Sequence, residues 1–246
     1  GQYASGFKVP PYDLAYVSRL EIMYGYGLEP ADDLIPEESD SYELGLRGHY
    51  NDFDFTIAAY NNEYENMIEI AYVRSELFYG FFPVDFFQYQ NIEAATIKGV
   101  ELSGFYSLND NWALSGSVNY MDATNDETDT YLSSMRPVTG TVGILYSNNN
   151  NLSANLVTSF ADNMSKVNEY TEGVDTRTTA GYGVLDLMVN YDFNDKVRVN
   201  ASIFNLLDKE YTKYSSVSGL ENDPDRDWTR ATEPGRGVSI RLDYTF

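Results

Sequence analysis

The last nine residues alternate without a break: Val238, Ile240, Leu242, Tyr244 and Phe246 are apolar, and Ser239, Arg241, Asp243 and Thr245 between them are polar. Successive side chains of a β-strand point to opposite faces, so this segment reads as a strand with one apolar and one polar face. The same period of two recurs at Tyr42, Leu44 and Leu46, from Trp112 to Tyr120, from Val138 to Tyr146, from Leu185 to Tyr191, and from Val197 to Ile203. Helical spacing is not sustained anywhere, which makes the chain all-β.

The connections alternate as well. Asn51-Asp52, Asn109-Asp110-Asn111, Asn148 to Asn151 and Asn194-Asp195-Lys196 are short and built from residues that tolerate positive φ, as tight turns require. Between them lie long polar or acidic segments, at approximately 8–40, 61–85, 121–136, 161–180 and 206–235. A transmembrane antiparallel β-barrel predicts this alternation, with short periplasmic turns, long outer loops, an apolar lipid face and a polar inner face. Counting a first strand in residues 1–7 gives about ten strands, the last descending to the periplasmic side. Ten strands could close alone. Loops of some 20 to 30 residues are heavy for so small a barrel, and no export signal precedes the first strand, so the expectation is the C-terminal portion of a larger barrel.

Composition narrows the function. The chain carries 22 Tyr against 2 Trp, which suits the interfacial girdles of a membrane barrel. A net charge of −22 repels nucleic acid over most of the surface and fits a saline setting, where salt screens self-repulsion. The lack of cysteine removes disulfides, thiolate metal sites and cysteine nucleophiles. There is no phosphate loop, HExxH or nucleophile elbow, and nothing places two carboxylates at a working distance, so neither an enzyme nor an intrinsic cofactor is expected. Acidic stretches at Asp122 to Asp129 and Glu221 to Asp227 lack the spaced pattern of a calcium loop and read as solvated exterior, leaving no metal site.

Five segments resemble one family in the right order. Phe7-Lys8-Val9-Pro10-Pro11-Tyr12-Asp13-Leu14-Ala15-Tyr16 is similar to the first conserved box of the haem and haemoglobin branch of TonB-dependent outer-membrane receptors, and Leu34-Ile35-Pro36-Glu37-Glu38-Ser39, followed by Ser41-Tyr42-Glu43-Leu44-Gly45-Leu46-Arg47, to the second. Ile97-Lys98-Gly99-Val100-Glu101, Asn205-Leu206-Leu207-Asp208-Lys209-Glu210-Tyr211 and Pro234-Gly235-Arg236, followed by the terminal strand, resemble later motifs of the same family.

The resemblance implies a barrel of about 22 strands with an N-terminal plug in its lumen. This chain, residues 1–246, would then be a single C-terminal portion of the barrel, with the plug and the N-terminal strands outside it. It also implies a place in the bacterial outer membrane, surrounded by its lipid, and uptake of a scarce extracellular ligand driven through the plug by the TonB system. Haem or a haem-carrying protein is the first expectation; a siderophore, cobalamin or an oligosaccharide is the alternative. The residues implied at the ligand are Phe7, Lys8, Pro10, Leu34, Pro36 and Glu37 of the boxes, with Tyr24 and Tyr26 in the loop between them. Tyr244 and Phe246 would form the signal read by the barrel-assembly machinery.

The pattern departs from the family where haem iron is usually held, because no histidine lies between Pro11 and Leu34. Tyr24 or Tyr26 could serve instead through its phenolate. His49, the one histidine, is expected beside the Asn51-Asp52 turn, far from an external ligand, in a structural role. Two other readings stay open: a complete ten-stranded barrel with an adhesive or enzymatic role, and a soluble tyrosine-rich binding module.

Overall fold

The computed structural model describes residues 1–167, 178–218 and 228–246. Ten strands form one antiparallel meander: β1 (Gln2–Lys8), β4 (Glu37–Tyr50), β5 (Phe53–Phe78), β6 (Phe82–Ser107), β7 (Trp112–Asn125), β9 (Thr139–Ser147), β10 (Leu152–Ala161), β11 (Tyr182–Asn194), β12 (Val197–Phe204) and β13 (Gly237–Tyr244). Three short strands lie off this path: β2 (Arg19–Glu21), β3 (Tyr26–Glu29) and β8 (Thr130–Tyr131). A five-residue helix, α1 (Tyr12–Tyr16), follows β1. The sheet is open, with β1 and β13 at its two edges.

Register sorts the side chains. Leu44 faces Ala59 and Leu46 faces Ile57; Ile57 faces Leu102, and Leu102 faces Val118. Leu156 faces both Ile144 and Leu187, while Ile240 faces Ala201. These residues make one continuous apolar face, on which Leu44, Val142 and Ile240 stay exposed because no second layer covers them. An apolar face bare across a whole sheet is what hydrocarbon solvates and water does not. The other face carries Glu43, Arg47, Ser103, Ser117 and Thr141, and the Ser117 and Thr141 hydroxyls bond across strands at 2.8 Å.

Aromatic rings mark the turn end of the apolar band. Tyr50 faces Phe53, Phe53 faces Tyr106, and the Trp112 and Tyr146 ring centroids lie 4.8 Å apart. The segment from Tyr42 to Tyr50 matches the ~9–11 residues of a tilted membrane strand. The short turns close as expected. Asn148 Oδ1 accepts from the backbone N–H groups of Asn150, Asn151 and Leu152 at 2.9–3.0 Å, and Asn109 and Asn194 do the same for the residues that follow them.

One expectation is corrected. Residues 61–85 are not a long polar connection: β5 and β6 run 26 residues each, and their pairing continues to Phe78 opposite Phe82. The hairpin therefore stands roughly 50 Å beyond the apolar band at ~3.3 Å per residue. It reads as loop in sequence because a strand that has left the membrane has no lipid face to alternate against.

Candidate functional site

The described residues bury their main apolar cluster at the loop end, not in the wall. Leu132 and Met135 from the β7–β9 connection, Met164 and Val167 after β10, and Tyr214 after β12 converge on Ala95 and Ala123 of the sheet, with Tyr64, Met67 and Ile92 packed around them. Three connections that are remote in sequence are thereby locked onto the β5–β6 hairpin as one crown. Polar contacts add to it: the Ser133 hydroxyl donates to Glu69 of the hairpin, and the Arg136 guanidinium lies 5.9 Å from the Tyr214 ring.

The β1–β4 connection is strapped along the hairpin. β3 adds to β6 in parallel, pairing Tyr26 with Asp85 and Glu29 with Gln88. Arg74 reaches back to Glu29 and Glu76 and lies 4.3 Å over the Phe86 ring, while Gln88 donates to the Pro30 carbonyl at 2.6 Å. Phe86 is buried because Gly27 leaves room for its ring.

The residues implied at the ligand fall into two groups. Phe7 and Lys8 end β1 opposite Glu38 and Glu37, and Glu37 accepts the Ile68 backbone N–H at 3.1 Å. Leu34 and Pro36 flank Ile35, which is held beside them by Asn91; Pro10 is half-buried. Tyr24 and Tyr26 sit about nine residues further out along β6, roughly 30 Å from this base at ~3.3 Å per residue. Tyr24 is exposed, whereas Tyr26 stacks on Phe87 with centroids 5.7 Å apart. Burial pushes the Tyr26 phenol above its ordinary pKa, which works against the phenolate that iron needs.

His49 lies at the turn end with Nδ1 2.7 Å from Asp54, opposite the crown. Asp122 is engaged by Lys166 at 2.8 Å, and Asp126 accepts the Thr96 hydroxyl at 2.6 Å. Residues 221–227 lie outside the described residues. Among the described residues, no three histidine or carboxylate side chains converge as a metal site would require.

The sequence did not reveal what Asn205 does. It is 3% exposed, sits at φ 48°, and its carboxamide accepts from the Lys209 N–H and donates to the Lys209 carbonyl, both at 2.8 Å. Asp208 then accepts the Arg236 N–H at 2.7 Å. These motif residues knot the base of the β12–β13 connection. On the inner face at the turn end, Asp192, Arg198, Arg241 and Asp243 line a polar groove of about 700 Å³.

Comparison with known proteins places this geometry. Residues 1–206 match the family described as TonB dependent receptor-like, beta-barrel. The haemoglobin-haptoglobin utilization protein B of Neisseria meningitidis is 21% identical over all of this chain and 35% of its own length. The vitamin B12 transporter BtuB of Photobacterium profundum is 24% identical over 84% of this chain and 31% of its own. Among solved structures, the copper transporter OprC superposes with a TM-score of 0.79 at 21% identity, over 99% of this chain and 36% of that one. A ferric enterobactin receptor from Pseudomonas aeruginosa gives 0.74 at 21% identity, over 99% and 37%. The chain thus spans about a third of the length of these relatives. With its meander, lipid face and loop crown, the chain belongs to the TonB dependent receptor-like β-barrel family and forms part of an outer-membrane barrel wall.

Proposed function

We propose that this chain supplies one side of the wall and much of the loop crown of a TonB-dependent receptor that imports a scarce ligand, and that the ligand is haem or a haem-carrying protein. The observation that carries the reading is the crown: its connections are packed into one another through Leu132, Met135, Met164 and Tyr214, which suits recognition at a fixed surface better than passage through an open pore. Relatives named for haemoglobin-haptoglobin utilization and for haemoglobin-haptoglobin binding, aligned over the whole chain, support the cargo. The loops face outward. TonB acts through a plug outside this chain, against which the polar groove at Arg198 and Arg241 would pack. Tyr244 and Phe246 present the terminal edge to the assembly machinery by strand addition.

No histidine stands at the loop end, and of the two tyrosines between the boxes the exposed Tyr24, rather than the stacked Tyr26, is the better placed to reach haem iron. A siderophore or cobalamin is the second reading, supported by the ferric enterobactin receptor fold and the BtuB relative. The test is growth of a strain lacking the receptor gene on haemoglobin, haemin or a ferric siderophore as sole iron source, and on cobalamin where it is required. Loss of growth on haemoglobin and haemin alone is expected. Loss confined to the siderophore or to cobalamin would overturn the haem reading and leave the receptor.

A further inference from the structure

The far end of the β5–β6 hairpin is apolar and uncovered. Leu77, Tyr79 and Phe81 are 68%, 77% and 67% exposed, and Met23 and Tyr24 of the strapped connection are 82% and 71% exposed. The two segments meet there, because the Asp85 N–H donates to the Gly25 carbonyl at 2.9 Å and Tyr26 pairs with Asp85. The patch is therefore built by two chain segments held on a paired hairpin.

Its turn is costly for the residues it uses. Tyr79 at φ 55° and Gly80 at φ 79° occupy the two central positions of a turn closed by the Phe81 N–H on the Phe78 carbonyl at 3.2 Å. Glycine or asparagine takes the first position readily, whereas a tyrosine there is strained. Strain kept at an exposed tip points to a use for the side chain rather than for the fold.

The tip is convex, and residues 77–84 carry no hydrogen-bonding side chain other than the Tyr79 phenol. Small ligands are held in concave sites with convergent polar groups, so a small molecule or a glycan does not fit it. Aromatic side chains that project from a rigid element fit a pocket on a protein. Close to the tip, Glu76 and Asp85 of the hairpin and Glu21 of the strapped connection supply negative charge, and Arg19 and Arg74 are already paired with carboxylates.

We infer that the Tyr79–Phe81 tip, with Met23 and Tyr24, is the docking knob for a haem-carrying protein, entering an apolar pocket rimmed by lysine and arginine. This rests on the haem reading proposed above. The test uses the full-length receptor in nanodiscs, with haemoglobin and free haemin as separate probes. The variant is Tyr79→Asn with Phe81→Ser, since asparagine keeps the left-handed turn while removing the ring. Haemoglobin binding is expected to weaken at least about tenfold, haemin binding to stay unchanged, and wild-type affinity for haemoglobin to fall as salt is raised. A variant that binds haemoglobin as the wild type does would overturn the knob and leave the haem reading intact, as would a wild type that binds haemin but not haemoglobin. Salt-independent haemoglobin binding would overturn the basic rim. A wild type that binds neither probe would overturn the haem reading and the inference with it.

Discussion

The Asn91 carboxamide clasps Ile35 by both of its backbone groups: Oδ1 accepts the Ile35 N–H at 2.9 Å and Nδ2 donates to the Ile35 carbonyl at 3.0 Å. One side chain thus replaces a strand partner for the connection, and its second amide hydrogen reaches the Asn66 carbonyl at 2.6 Å. A net hydrogen bond is worth about 1 kcal/mol, so Asn91→Ala is expected to release residues 30–36 at a cost of about 2–3 kcal/mol. Limited proteolysis checks this, with new cleavage in the β1–β4 connection and an intact wall.

Two glycines separate ring clashes from backbone clashes. The atoms nearest a Cβ at Gly48 are all of the Phe55 ring, whereas one at Gly99 would meet the Tyr60 hydroxyl at 2.5 Å and also the Tyr120 backbone carbonyl. Gly48→Ala is therefore expected to be rescued by Phe55→Ala, and Gly99→Ala not to be rescued by Tyr60→Ala. The heat-modifiable gel shift of the folded receptor reports both, and rescue at Gly99 would count against the register.

The two faces of β4 should respond oppositely to charge. Leu44→Arg places a cation on the lipid face and is expected to cost about 2–4 kcal/mol in refolding into vesicles. Glu43→Lys, on the inner face, is expected to cost less than about 1 kcal/mol. Equal penalties would mean that the apolar face does not meet lipid.

Burial raises the Glu69 carboxyl above its ordinary value, against a smaller opposing effect of the Ser133 hydroxyl. A carboxyl raised in the folded state binds its proton more tightly there, so its contribution is present below the raised value and declines as pH climbs from the unfolded value of about 4.5 through the folded one. The crown should accordingly loosen as pH increases across that window. Comparing melting temperatures across it checks the point: Glu69→Gln is expected to flatten the decline, and an unchanged pH dependence would exclude Glu69 as its source.

What could be read from the sequence was what the membrane imposes. Lipid on one side forces Leu44, Leu46, Ile240 and Leu242 into alternation, and asparagines tolerate the φ of tight turns, so the meander and its short connections were legible. Beyond the membrane that constraint ends, which is why residues 61–85 looked like loop although they pair to the tip. The crown core was hidden for another reason: Leu132, Met164 and Tyr214 belong to different connections and share no local pattern. The family resemblance put Lys8 of the first box and Tyr26 of the loop between the boxes at the ligand, but sequence carries no information about how far a strap climbs along a hairpin.

A membrane wall with its crown outside makes the two ends of the sheet differ in access, which single cysteine labels in a receptor otherwise free of cysteine can read; this chain contributes none of its own. Met23→Cys at the loop end and Asn149→Cys at the turn end would be introduced separately into the full-length receptor and exposed to a membrane-impermeant maleimide on intact cells. Labelling of Met23→Cys is expected, with Asn149→Cys labelled only after the outer membrane is breached. Labelling of Asn149→Cys on intact cells would contradict this arrangement.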